Sequence, residues 1–321
     1  MATTAATERW PESGESGAPS PQSVRLRQMF AARVRPLADR SSPRGYQLRA
    51  LRRTADSAGL SRLPRGARAW AARYGDIRGV WLRAASARAT NGALLYLHGG
   101  GFVFGSPRSH RLLAYRLSAA ANLPVFLLDY RRAPEHPFPA AADDALAAYR
   151  TLLDKGFAPE RITVAGDSAG GQLAAGLLAD IGRAGLPQPA RALLLSPWLD
   201  FDLAEIRRRD LEHRDPFVPP AYVEKCRQAY TAGADPADVR LNVLAADKTG
   251  WPPLLIQVGG TECLLGDSER LADSVTACGG SAELQVWPGQ IHVFQAFADF
   301  VPEGRAAVRS AGMFLRAAAA R

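Results

Sequence analysis

Long apolar runs are missing from this chain. No stretch of its 321 residues approaches the roughly 18 consecutive apolar residues that span a bilayer, so integral membrane association is not expected. Cysteine is scarce. Cys226, Cys263 and Cys278 are odd in number, widely spaced and without metal-ligand spacing, which predicts free thiols in a reducing cytoplasm. Lysine is confined to Lys155, Lys225 and Lys248, so arginine carries the net charge of +9. These arginines are scattered or interleaved with acids, as in "EIRRRDLEHRD", and no zinc-finger spacing, RNP motif or aromatic-interleaved basic tract accompanies them. A nucleic-acid partner is therefore not expected. The first residues lack a basic region followed by an apolar segment, so no secretory leader is expected. Their Ser, Gly, Pro and Glu content predicts a disordered lead-in over residues 1–22. Internal repeats are absent too.

What is present is an alternation. Hydrophobic residues make up 47% of the chain. From about residue 92 they gather into short runs, "ALLYL", "PVFLLDY", "RITVAG", "RALLLS", "PPLLIQVG" and "AELQVW", separated by helical patterns. Continuous apolar strands separated by helices predict an α/β fold, a mostly parallel sheet covered on both faces. Ligands of such sheets bind outside the carboxyl ends of the strands, so the loops after the strands are where chemistry is expected. Two segments break the alternation: residues 23–65, amphipathic and helical in pattern, and residues 200–248, rich in Asp, Arg and Pro with a helix expected at "PAYVEKCRQAY". They are expected to form a helical cap over a catalytic core made of residues 66–199 and 249–321.

Gly166-Asp167-Ser168-Ala169-Gly170 lies between an expected strand and an expected helix, the context in which G-x-S-x-G presents a serine nucleophile on a tight turn. A serine hydroxyl needs a base, and the base an orienting acid, in the chain order serine, acid, histidine for this arrangement. His292, in "PGQIHVF" after the last strand, is the histidine that fits. His213 sits among charges and is expected at the surface; His110 and His136 lie upstream of Ser168 and are expected to be structural. The "HGGG" of residues 98–101 matches the loop that supplies oxyanion donors in lipases and esterases. Bare main chain lets N–H groups approach a developing oxyanion, which makes Gly100, Gly101 and Ala169 the expected donors and His98 a loop anchor. A phosphate-binding loop would need G-x-G-x-x-G or a Walker lysine, and neither is present.

Four signatures in order, "HGGGFVFGSPRSH", "DYRRAPEHPFPAAADD", "GDSAGG" and "PGQIHVF", make the chain resemble the bacterial hormone-sensitive lipase family of esterases, from about residue 70 to the C-terminus. The resemblance implies an α/β-hydrolase fold with a helical cap. It also implies hydrolysis of short- to medium-chain carboxylic esters through an acyl-enzyme, without metal or organic cofactor. The partner would be a small-molecule ester, and a homodimer is compatible. Arg132 departs from the family's usual leucine. The loop after "PPLLIQVG" departs as well: where many relatives carry aspartate, this chain has Glu262, which is adequate to orient His292. Asp267 is the rival acid, but "GDSERLAD" reads as a helix start with Asp267 or Ser268 as its N-cap. Phe201, Leu203, Phe217 and Tyr222 in the expected cap are candidates for substrate contact or for ordinary packing against the core. A non-catalytic binding protein on the same fold, or an amide or peptide hydrolase with the same triad, are the competing functions.

Overall fold

The computed structural model describes residues 17–57, 61–88, 92–235 and 238–316. The expected apolar runs all become strands: β3 (Ala93–Leu97), β4 (Val125–Leu128), β5 (Ile162–Asp167), β6 (Arg191–Leu195), β7 (Leu254–Gly259) and β8 (Ala282–Trp287). A hairpin that the periodicity did not signal precedes them, β1 (Arg68–Tyr74) and β2 (Ile77–Arg83), joined by a two-residue turn with Gly75 at positive φ. The eight strands form one sheet in the order β1-β2-β4-β3-β5-β6-β7-β8. β2 runs antiparallel to both β1 and β4, and the pairs from β4 through β8 are parallel.

Side chains alternate across a strand, so each apolar run serves two cores. In β3, Leu95 and Leu97 face one core with Phe126, Val164, Leu194 and Ile256, while Leu94 and Tyr96 face the other with Val125, Leu127, Ala165 and Leu193. Helices α5 (Ala140–Asp154), α6 (Ala169–Arg183) and α9 (Leu265–Ala277) contribute to the first core. Helices α4 (Arg111–Ala121) and α10 (Pro302–Arg316) close the second. That double cover is why the strands read as unbroken apolar runs. Among the described residues no helix is long and apolar enough to cross a membrane.

The two segments outside the alternation pack on one another. The first holds α1 (Pro21–Met29), a wide π turn at Phe30–Val34, α2 (Arg35–Arg40) and α3 (Gly45–Ser57); the second holds α7 (Ala204–Glu212) and α8 (Pro220–Thr231). The Arg35 guanidinium grips both oxygens of Asp210 at 2.6 and 2.7 Å, and Lys225 donates to the carbonyls of Asp39 and Ser41 at 3.0 and 2.9 Å. Phe30 sets its ring edge-on against Phe217 at 4.6 Å and Phe297 at 5.3 Å. Residues 1–16 of the expected lead-in lie outside the described residues. Its last residues are held in place: Ser20 caps α1 and binds the Glu303 carboxylate through both N–H and hydroxyl, and Pro21 opens the helix.

Phe30 is 6% exposed at the junction of the two segments and the core. Phe30→Ala is expected to lower unfolding free energy by about 3 kcal/mol, the usual cost of truncating a buried phenylalanine. Urea denaturation of the purified variant measures this, and a loss within about 0.5 kcal/mol, as for a surface substitution, would contradict the packing.

Candidate active site

The loops that follow β3, β5, β6, β7 and β8 leave the sheet at one edge, and the expected site residues lie on them. Ser168 stands between β5 and α6 with φ 54° and ψ −121°, a conformation unusual for a residue with a side chain. Its surroundings impose it. A Cβ on Gly166 would sit 2.0 Å from the Gly170 carbonyl, and one on Gly170 would sit 2.0 Å from that of Leu97, so only glycines permit so sharp a turn against β3. Ser168 remains partly exposed at the head of α6, a largely buried helix.

Asp167 ties this turn to the glycine loop. Its Oδ1 accepts from Tyr96 at 2.7 Å and from the Gly99 N–H at 3.0 Å, and its Oδ2 meets His110 Nε2 at 3.3 Å. Among the described residues the N–H groups of Gly100 and Gly101 have no main-chain acceptor, and that of Ala169 heads α6 where no intrahelical acceptor exists. Gly100 and Gly101 have φ of 116° and 57°. His98 is a brace, as expected: its Nδ1 lies 2.8 Å from the Gly99 carbonyl, its ring stacks on Tyr130 at 4.2 Å, and the Tyr130 hydroxyl donates to the His98 carbonyl. Burial, with His110 facing it, pushes the His98 pKa down to about 3, so it stays neutral.

His292 follows β8 and Glu262 follows β7, and the two meet. His292 Nδ1 lies 2.7 Å from Glu262 Oε2, with both side chains buried. The other carboxylate oxygen accepts from Ser196 Oγ at 2.7 Å and from the Gly259 N–H at 2.5 Å. Ser196 in turn accepts from the N–H of Val293 at 3.1 Å, joining the histidine loop to the acid. Burial alone would lower the imidazole's pKa. The charge and hydrogen bond of Glu262, with the charges of Asp215 and Asp167, outweigh it and raise the value above 6.5. Among the described residues, neither Ser168 Oγ nor any other group is hydrogen-bonded to Nε2.

Asp267, the rival acid, does not touch His292. Its Oδ2 accepts from the N–H groups of Leu199 and Asp200 at 2.7 and 3.0 Å, and burial pushes its pKa up to about 7. Helix α9 starts at Leu265, two residues before the expected cap, so Asp267 lies in its first turn and holds the loop after β6. Of the four candidates in the insertion, Leu203 has no exposed surface and is core packing. Phe201, Phe217 and Tyr222 are half-buried. Phe217 sets its edge against the His292 ring at 5.9 Å, and Phe201 stacks at 5.9 Å on Phe102 of the glycine loop. His213 is exposed and His110 is the partner of Asp167. Arg132 donates to the Gly105 carbonyl at the end of the glycine loop, which explains how the departure from leucine is accommodated.

Comparison with known proteins agrees with this geometry. A sequence profile described as alpha/beta hydrolase fold matches residues 94–296. An acetyl-hydrolase of Streptomyces hygroscopicus is 42% identical over 244 residues, 76% of this chain and 81% of its own. A crystal structure of an esterase from the bacterial hormone-sensitive lipase family is 37% identical, covers 93% of this chain and 98% of its own, and superimposes with a TM-score of 0.84. This chain belongs to the bacterial hormone-sensitive lipase family of α/β-hydrolases. A crystal structure of EstE5 soaked with p-nitrophenyl butyrate is similar as well, at 36% identity and a TM-score of 0.86 over 94% of this chain and all of the other.

Within this family member, Ser196, Asp167 and Asp215 escaped sequence reasoning as site residues. Ser196 had one available signal, its position as the polar residue directly after β6, at the edge where the other loops leave the sheet. Among the described residues, no group of three or more His, Cys, Asp or Glu side chains is arranged to hold a metal ion. All three cysteines are free.

Cys226 of α8 rests on the glycine loop: a Cβ on Gly101 would meet its sulfur at 2.8 Å. Gly101→Ala is expected to distort the loop and cut turnover on the order of 10²-fold, as displacement of one oxyanion donor does. Adding Cys226→Ala should restore part of that loss by making room, with the residue deficit due to positive φ. Steady-state kinetics of the single and double variants check this, and no gain from the second change would show that the contact is irrelevant.

Proposed function

We propose that the protein is a serine carboxylic ester hydrolase acting on short- to medium-chain esters through an acyl-enzyme. The observation that carries this is the buried Glu262–His292 pair at 2.7 Å, at the sheet edge where the strained Ser168 turn also lies. Ser168 Oγ attacks the ester carbonyl while His292 Nε2 takes its proton. Negative charge then develops on the carbonyl oxygen, against the N–H groups of Gly100, Gly101 and Ala169. His292 returns the proton to the alkoxide as the C–O bond breaks, and the alcohol leaves. Water, losing a proton to His292, then attacks the acyl-serine, and collapse of the second tetrahedral intermediate releases the acid and regenerates Ser168. Glu262 keeps Nδ1 protonated, so Nε2 is the basic nitrogen, and it stabilises the imidazolium between these steps. No cofactor enters the scheme.

The segments 23–65 and 200–248 act in this proposal as a cap. Phe217 beside the imidazole and Phe201 beside the glycine loop suit an apolar acyl or alcohol group, with Tyr222 further along α8. Pockets that hold small substrates combine such apolar walls with a few fixed polar groups.

Ser168→Ala is expected to abolish hydrolysis of p-nitrophenyl butyrate without altering the fold, and an organophosphonate should label Ser168 in the native protein. Retained turnover, or labelling at another residue, would refute the nucleophile. Glu262→Gln should lower kcat on the order of 10³- to 10⁴-fold by analogy with the triad acid, while Asp267→Asn should cost far less. The reverse ranking in folded variants would move the acid role to Asp267.

The base must be neutral to accept a proton, and its pKa lies above 6.5. The kcat/KM profile should therefore rise with pH through an acid limb centred above that value. A limb centred below 6.5 would contradict the environment of His292.

A further inference from the structure

Asp215 is a buried carboxylate that makes no ion pair among the described residues. Its exposure is 0%, and it sits in the turn between α7 and α8. Oδ1 accepts from the N–H groups of Phe217 and Val218 at 2.7 and 2.9 Å, closing its own turn. Oδ2 reaches out of the turn and accepts from the N–H of Cys263 at 2.9 Å, the residue directly after Glu262. Arg35 approaches from the N-terminal segment but donates to the Asp215 main-chain carbonyl, while its charge is matched by Asp210. Asp210 also accepts from the N–H of Asp215 at 2.9 Å.

A neutral asparagine or serine would close the turn equally well, because one acceptor suffices for Phe217 and Val218. Burying a carboxylate without a counter-ion is costly, and here burial and the nearby Glu262 charge both raise its pKa against the pull of three N–H donors. The second oxygen therefore calls for a local reason. It pins the peptide plane between Glu262 and Cys263, and Cys263 returns a contact to the same turn through Sγ on the Val218 carbonyl at 3.5 Å. Phe217 of that turn lies against the imidazole. The negative charge also favours the imidazolium of His292.

We propose that Asp215 is a positioning residue for the triad acid: it locks the Glu262 loop to the insertion, and Arg35 fixes the turn from the N-terminal segment. The role rests on Glu262 being the acid that orients His292. Docking of the two outer segments is thereby coupled to the geometry of the base, because Arg35, Asp210, Asp215 and Cys263 form one unbroken chain of contacts to Glu262. The charged and titratable groups facing His292 are Glu262 after β7, Asp167 at the end of β5 and Asp215 from the insertion. Those around Asp215 are Arg35 from the N-terminal segment, Asp210 of α7, Glu262 and Cys263 of the acid loop, and His292 after β8.

The test is a double-mutant cycle on full-length protein with p-nitrophenyl butyrate. Asp215→Asn keeps an acceptor for its own turn but presents an amide NH₂ to the Cys263 N–H, which leaves that donor unpaired. Its kcat should fall on the order of 10²-fold, the cost of misplacing a catalytic group by about an ångström, with KM nearly unchanged. Its acid limb should move to lower pH, since a charge that favours the imidazolium has gone. Asp215→Ser, which closes the turn but is too short to reach Cys263, should behave alike. In a Glu262→Gln background either substitution should cost little more, because both act through the same carboxylate. Wild-type kcat and an unshifted limb in a folded variant, or full additivity with Glu262→Gln, would overturn the proposal. Failure of both variants to fold would overturn it too, marking Asp215 as purely architectural. Retained turnover in Glu262→Gln alone would instead overturn the triad assignment on which the proposal rests.

Discussion

A buried carboxylate must have its lone pairs satisfied, and at Glu262 that requirement organises the whole site. One oxygen takes the Ser196 hydroxyl and the Gly259 N–H, and the other takes the His292 imidazole. These partners come from the ends of β6 and β7 and from the loop after β8. A single group thus holds three successive loops in register. The parallel sheet makes this economical, because it delivers every such loop to the same edge. The same bond directs the imidazole and helps to raise its pKa.

A second hub lies on the other side of Ser168. Asp167, next to Ser168, takes hydrogen bonds from Tyr96, Gly99 and His110, which tie the serine turn to the glycine loop. Here the charge is balanced: His110 is held toward its cationic form and Asp167 below the usual carboxylate range, each by the other against the pull of burial. Asp167 takes the N–H of Gly99, and among the described residues the N–H groups of Gly100 and Gly101 have no main-chain acceptor. Preorganised donors of this kind need no rearrangement when charge develops. Ser168 and the glycine loop share one hub, and His292 and Glu262 share the other.

Sequence patterns carried a large part of this. The double-sided burial of the sheet is a periodic property of the chain, so the strands from β3 to β8 and the helices between them were legible as apolar runs and helical faces. Ser168, His292 and the glycine loop were legible because tight turns need glycine at fixed spacing. The β1–β2 hairpin was not. Its strand Arg68–Tyr74 lies at the sheet edge, is largely solvent-exposed, and reads Arg-Ala-Trp-Ala-Ala-Arg-Tyr, so no continuous apolar run marks it. Its partner strand is ordered by pairing with β4, a contact distant in sequence.

What the sequence determined on its own is therefore local and periodic: which stretches are strands, where the serine turn lies, and which histidine stands after the last strand. Between Glu262 and Asp267 the sequence favours Glu262 only by reading Asp267 as part of a helix start. The two acids lie close together in the chain, and composition treats them alike. Only the fold turns Glu262 toward His292 and sends Asp267 to the N–H groups of Leu199 and Asp200. The same holds for Ser196, Arg35 and Asp215, whose partners lie 66, 175 and 48 residues away. A hydrogen bond depends on where two atoms meet in space, and no short-range pattern encodes a meeting across such distances in the chain.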